Sequence, residues 1–243
     1  IKTSFTDPDT GGFTFDNYKY FFETPRELTN ILFTLGIVFL TVALAIVLAY
    51  LLALYLRFVK SKVSRLIGNL YLLPRFVPSM VAVYAMITVV RDSGLLNRIS
   101  QLFGGDFKPG MMYHASGLVT MNMWFNIPFA ALMITAGLGA IPDSMIESAR
   151  DVGASKLRVL RSMILPLSMK DVVIAATFVG SFTTPYLMGG NYPKMLGIVL
   201  FDQFNKYLRY ERAAAMSFII FLICSVSAGV YIYTNLREKE WEK

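Results

Sequence analysis

The chain has 243 residues, 55% of them hydrophobic, a mean hydropathy of +0.53 and a formal net charge of +7, more apolar material than a soluble domain of this length uses, so lipid is the solvent for much of it. A single cysteine, Cys224, and a single histidine, His114, exclude an internal disulfide and a bound metal ion, which needs three or four ligands. The basic residues sit in loops between apolar segments instead of in one stripe with interleaved aromatics, which excludes nucleic acid as a partner and points to charge beside an anionic leaflet.

Residues 1–30 begin without a methionine and carry an acidic, turn-forming run, Asp7-Pro8-Asp9-Thr10-Gly11-Gly12. A bilayer core about 30 Å thick needs about 20 apolar residues in helix, and five windows meet that length or approach it: 31–56, 66–90, 115–140, 172–188 and 213–234. None contains Asp or Glu, and Arg75 is the one basic residue in any of them. The expected fold is therefore all-α, a polytopic membrane helix bundle. Between the first two windows lie Arg57, Lys60, Lys62 and Arg65 with no acid, which makes that loop cytoplasmic. Alternation puts residues 141–171 and the C-terminal tail, with Arg237, Lys239 and Lys243, on the same side, and residues 1–30 outside. Twelve basic residues fall inside and ten outside, so the first loop decides the orientation. An external start requires something upstream to carry it across, and a sixth span preceding residue 1 is expected.

In the second window Arg75 stands in Leu73-Pro74-Arg75-Phe76-Val77-Pro78, where two prolines should kink the span and free backbone carbonyls. A charge in the membrane costs roughly 2.5–3.5 kcal/mol. Arg75 either lines a path, meeting an anion or closing a gate, or snorkels to the cytoplasmic interface. In the third window Asn122, Trp124 and Asn126 precede Pro128, a polar cluster that must face protein or water. The fourth is rich in Gly, Thr and Pro, and Phe182, Thr183, Thr184 and Tyr186 suit a wall near a pore, or plain packing of small residues. Tyr84, Trp124, Phe182 and Tyr186 offer ring faces to a cation. Cys224, in the fifth window, reads as a small buried hydrophobe.

The longest cytoplasmic loop, 141–166, reads as a short helix, a glycine break and a second short helix stopped by proline. Pro142 in the first turn and early Asp143 and Glu147 favour initiation, and Gly153 permits the turn that ends the helix. Met145, Ile146, Ala149 and Val152 fall at i, i+1, i+4 and i+7, one sticky face. No phosphate-binding Gly-x-x-x-x-Gly-Lys-Ser/Thr motif and no nucleophile–base pair or carboxylate dyad occurs in the spans, so no catalytic residue is assigned.

The spacing of Glu147, Ala149, Gly153, Leu165 and Pro166 resembles the EAA loop of permease subunits of binding-protein-dependent ABC importers, departing at Ser148, where the pattern has alanine, and at Met163, where it has isoleucine. The resemblance implies the type I importer fold as a single membrane domain over 1–243, in the plasma (inner) membrane of a prokaryote. It makes the loop a coupling helix that docks in a groove of a cytoplasmic ATPase. Glu147 would pair with a basic residue there and Gly153 would let two short helices cross closely, while Arg150 and its basic neighbours meet the ATPase or lipid headgroups. The 180–190 stretch, with Ser4-Phe5-Thr6-Asp7-Pro8, resembles the spermidine/putrescine subfamily of these permeases. That implies a solute-binding protein outside, a second homologous permease in the lipid bilayer, and an ATPase pair inside that binds ATP and Mg, so this chain carries no cofactor of its own and supplies half the path of a small charged organic solute. A polycation should meet carboxylates, which the windows lack; the aromatic residues substitute for them, or Arg75 marks an organic anion such as a phosphonate or carboxylate. A channel or receptor would leave the cytoplasmic loop without a purpose.

Overall fold

A computed structural model describes residues 1–177 and 183–241. Its helices are α1 (Asp16–Glu23), α2 (Pro25–Phe58), α3 (Lys62–Leu70), α4 (Ser79–Val90), α5 (Leu95–Leu102), α6 (Ala115–Gly139), α7 (Asp143–Asp151), α8 (Lys156–Val159), α9 (Leu165–Thr177), α10 (Thr183–Met188), α11 (Leu196–Phe201) and α12 (Tyr210–Trp241). Among the described residues the one β feature is an isolated bridge between Thr6 and Phe13. Among the described residues four helical stretches are long and apolar enough to cross a membrane: Pro25–Phe58, Ser79–Leu102, Ala115–Gly139 and Tyr210–Thr234. The second of these joins α4 and α5 through the turn at 91–94.

The first, third and fifth windows each become one continuous helix; α6 even carries Pro128 inside it. The second does not. Pro74 and Pro78 lack an N–H, and the residue ahead of a proline is pushed out of the helical region. Val77 accordingly sits at ψ 126°, and instead of one span over 66–90 the chain makes α3, a 3₁₀ turn at Leu73–Phe76, and α4. Of the fourth window, residues 172–177 belong to α9, which starts seven residues earlier than expected, and residues 183–188 belong to α10. Cys224 is exposed on α12 rather than buried. A helix solvated by lipid has no need to bury its apolar residues in protein.

The chain groups into two compact units. One comprises Ile1–Thr41, Pro78–Asn122 and Gly180–Ser227. Its core gathers Phe21, Ile31, Leu196, Val199, Ala215, Met216 and Ile219. Polar ties fix the loop before α11 on the start of α2: Asn30 Oδ1 accepts the Lys194 N–H at 2.8 Å and Thr34 Oγ1 accepts the Leu196 N–H at 2.9 Å. Lys194 also pairs with Asp202, both largely buried. The N-terminal turn is held by Asn17, whose Nδ2 donates to the carbonyls of Ser4 and Thr6, and by Phe5, which stacks on Phe13 with centroids 5.5 Å apart. Arg212 lies 3.9 Å over the Tyr20 ring.

The other unit comprises Val42–Val77, Met123–Val179 and Ala228–Lys243. Its core is Ala49, Ala53, Ala130, Ala131, Ile134, Leu138, Ile141, Val159, Ile164 and Ala175. Four alanines in that set keep α2 and α6 slender where they pack, as small residues do between membrane helices. A Cβ at Gly137 would collide with the Asp171 carboxylate, so α6 and α9 meet at a glycine.

Candidate functional site

The loop 141–166 belongs wholly to the second unit, and its local structure follows from its sequence. Pro142 takes the N-cap place at ψ 138°, and Asp143 sits in the first turn of α7, where its charge suits the helix dipole. At the other end Val152 is the C-cap and Gly153 adopts φ +85°. Gly153 N–H bonds the Arg150 carbonyl at 2.9 Å and Ala154 N–H the Ala149 carbonyl at 3.1 Å, the pairing of a Schellman motif. Ser155 then caps α8, its Oγ accepting the Arg158 N–H at 3.3 Å. A Cβ at Gly153 would meet nothing within 4 Å. The glycine answers a left-handed backbone, not the close crossing of two helices.

Pro166 does not stop a helix. The chain widens into a π-turn over Leu160–Ile164, in which Leu165 N–H bonds back to the Leu160 carbonyl, and α9 continues through the proline. An extra residue in the turn removes the conflict between a proline ring and the carbonyl four positions earlier.

Sequence periodicity put Met145, Ile146, Ala149 and Val152 on one sticky face, and the structure divides them. Ile146 and Ala149 pack against the core of the unit. Met145 is 45% and Val152 85% exposed, and Glu147 and Arg150 are exposed with them. The free face of α7 is therefore mixed, a carboxylate and a guanidinium flanked by two apolar side chains. Leu165 and Pro166 are exposed as well.

Arg57, at the end of α2, ties this loop down, a role its sequence context did not announce. Its Nε donates to the Leu138 carbonyl at 3.3 Å and its Nη2 to the Ile141 carbonyl at 3.2 Å. The same Nη2 pairs with Asp143 Oδ1 at 2.5 Å. Leu138 lies in the last turn of α6, where its carbonyl also accepts the Ile141 N–H at 3.3 Å, and Ile141 lies in the link between α6 and α7, so Arg57 adds a donor where one helix ends and just ahead of the next. The readable signal was a basic residue closing a long uncharged run, which topology alone seemed to explain.

The residues expected along a solute path fall in both units. Arg75 is exposed in its 3₁₀ turn, with its guanidinium 5.0 Å from the centre of the Phe129 ring on α6. Asn122 and Asn126, one turn apart on α6, are both buried, in line with a polar cluster that does not face lipid. Trp124 is half-buried and meets Phe125 edge-on at 5.1 Å. In the first unit α4 packs on α10; Thr184 is buried, whereas Tyr84 and Tyr186 are about half exposed. Tyr186 meets Phe201 edge-on at 5.4 Å. Thr183 opens α10, and Phe182 lies outside the described residues.

Two carboxylate groups extend the sequence reading. Asp171, just ahead of the fourth window, is half-buried on α9 against Gly137. In the first unit Asp7, Asp9, Asp16 and Glu211, with Arg209 and Arg212, line a cavity of about 230 Å³. Asp7 is held below the usual carboxylate range by the N–H of Asp9, 2.9 Å from its Oδ1, and by Thr10.

The model of the family described as "Binding-protein-dependent transport system inner membrane component" matches residues 41–239. The spermidine/putrescine transport system permease protein PotB of Escherichia coli (strain K12) is 26% identical, covering 95% of this chain and 88% of that protein. The thiamine transport system permease protein ThiP of Brucella suis biovar 1 (strain 1330) is 26% identical over 63% of this chain and 29% of its own length. Among solved structures, a chain of a bacterial ABC transporter involved in the import of the acidic polysaccharide alginate superposes with a TM-score of 0.79 at 19% identity, covering 100% of this chain and 88% of that one. A chain of the MetNI methionine ABC transporter gives 0.62 at 16% identity, over 86% of this chain and 94% of the other.

Proposed function

The chain belongs to the family of binding-protein-dependent transport system inner membrane components, a membrane transport subunit of an ABC importer in which a separate ATPase subunit hydrolyses ATP, and from that premise we propose that it forms half of the path by which a polyamine such as spermidine or putrescine enters the cell. The observation that carries the solute class is the 26% identity to a spermidine/putrescine permease protein across 95% of the chain. Carboxylates absent from the five apolar windows are supplied beside them. Asp171 stands within a helix against α6, and four acids line the cavity of the first unit. Exposed Tyr84 and Tyr186 add ring faces to which an ammonium group is attracted.

In this reading residues 1–30 lie outside and receive a solute-binding protein, α7 faces the cytoplasm, and a second homologous permease completes the path. ATP and Mg sit on the ATPase pair. When ATP closes that pair, the ATPase carries α7 inward through Met145, Glu147, Arg150 and Val152, and the spans rock to open the path outward.

The test is ATPase activity of the reconstituted complex with its binding protein. Stimulation by spermidine or putrescine is the expected result. Stimulation by small organic phosphonates or carboxylates alone would replace the polyamine reading with the anionic one, and Arg75, exposed over Phe129, would become the leading residue of the path.

A further inference from the structure

Two polar side chains of α2 grip the loop 141–166, one at its start and one just past its end on α9. Near the start, Arg57 spans three groups at once: the carbonyls of Leu138 and Ile141 and the carboxylate of Asp143, the first residue of α7. Its side chain is only 19% exposed. Near the end, Ser168 is fully buried and its Oγ donates to the Ile164 carbonyl at 2.8 Å. The same Oγ lies 3.3 Å from the Leu165 carbonyl and 2.9 Å from Tyr50 Oη; with the one serine proton on a backbone carbonyl, the tyrosine hydroxyl is the donor to Ser168. Tyr50 and Arg57 are seven residues apart, about two turns, and share one face of α2. On the same helix Ala49 and Ala53 are fully buried in one cluster with Ile134, Leu138, Val159 and Ile164. The apolar contact is closed by polar ties above and below.

We propose that Tyr50 and Arg57 are positioning residues that make α2 and the coupling loop one rigid body, so that a push on α7 turns α2 rather than bending the loop. Two features set this apart from plain stabilisation. Asp143 is 61% exposed and needs no partner to be solvated, yet it is drawn onto a nearly buried guanidinium. The planar fork of arginine reaches the end of one helix and the start of the next together, which the single ammonium of lysine does not. Without the fork, α7 keeps the short covalent link 140–142 to α6 and the packing of Ile146 and Ala149 on the core.

The proposal rests on the reading that α7 meets the ATPase, and the experiment separates the two. The complete complex is prepared in lipid nanodiscs with Cys224→Ser and spin labels on cysteines at Leu51 and Asp151, both exposed. The distance between them is measured with and without ATP. With Arg57 and Tyr50 in place, one narrow distribution is expected that ATP leaves where it is. With Arg57→Ala it should shift or broaden when ATP is added; a merely structural role would lower stability without an ATP-dependent displacement. If Arg57→Ala fails to assemble, Asp143→Ala, which leaves both carbonyl bonds of Arg57 in place, is expected to give the same ATP-dependent change. A narrow, unmoved distribution in both variants, or an ATP-driven change with the native residues present, overturns the rigid-body role. Separately, Val152→Asp should detach the ATPase; a bound, coupled ATPase in that variant overturns the premise about α7 whatever Arg57 does.

Discussion

Gly153 shows how one residue type serves a reason different from the expected one. Its backbone is left-handed at φ +85° and its surroundings are open, so substitutions there are graded by conformational cost, about 1–2 kcal/mol for an ordinary L-residue, and not by size. Gly153→Asn should retain most ATP-coupled uptake, since asparagine tolerates this region, with Gly153→Ala lower and Gly153→Val lowest. Equal loss in all three would point to crowding by a partner instead. Arg75 is a second residue-scale case. An exposed guanidinium over a ring is worth about 0.5–1 kcal/mol, so Arg75→Gln should change spermidine uptake by no more than about fivefold. A loss of a hundredfold or more would make it a gate.

At the scale of elements, α7 carries two chemically distinct faces. Ile146→Asp places a charge against the core of the second unit and should reduce the yield of folded permease, because an unpaired buried charge costs several kcal/mol. Met145→Asp alters an exposed position and should leave the yield unchanged while weakening co-purification of the ATPase. The loop between α5 and α6 gives a pH prediction. Asp106 is lowered by its bond to Lys108, 2.7 Å away, and by Asn97, and Lys108 is raised by the same pair. A depressed carboxylate contributes stability above its unfolded value and loses it as pH falls through the folded one; a raised lysine contributes below its unfolded value and loses that contribution as pH rises through the folded one. Protection factors for hydrogen exchange in residues 97–108, with the intrinsic pH dependence of exchange divided out, should therefore be steady from about pH 5 to 9 and fall below about pH 4. A step near neutrality would show that another group controls this loop.

At the scale of the molecule, the orientation is the open prediction. With Cys224→Ser as background, a cysteine at Phe13, which is 73% exposed, should react with an impermeant maleimide in intact cells, and one at Val152, 85% exposed, only after the membrane is opened. The reverse pattern would invert the topology drawn from Arg57, Lys60, Lys62 and Arg65.

The sequence by itself determined that the chain lives in lipid, where three of its long helices run, and that 141–166 carries the spacing that resembles the EAA loop. Those features are local: hydropathy, charge and spacing act within a few turns, and α2, α6 and α12 form wherever an unbroken apolar run demands that its own backbone be satisfied. Glu147, Ala149, Gly153, Leu165 and Pro166 were likewise read from spacing along the chain. What the tertiary structure alone decided is which side of each helix meets protein. It turned Ile146 and Ala149 inward and left Met145 and Val152 out, opened the second window at Pro74 and Pro78, absorbed Pro166 in a π-turn, and set Asp171 against Gly137. The contacts of Arg57 with residues 138, 141 and 143, and of Tyr50 with Ser168, link positions more than eighty residues apart. No periodicity encodes such a pairing, because it depends on how α2 meets α6 and α9, and that is settled by the shape of the small alanines and one glycine at which their backbones approach.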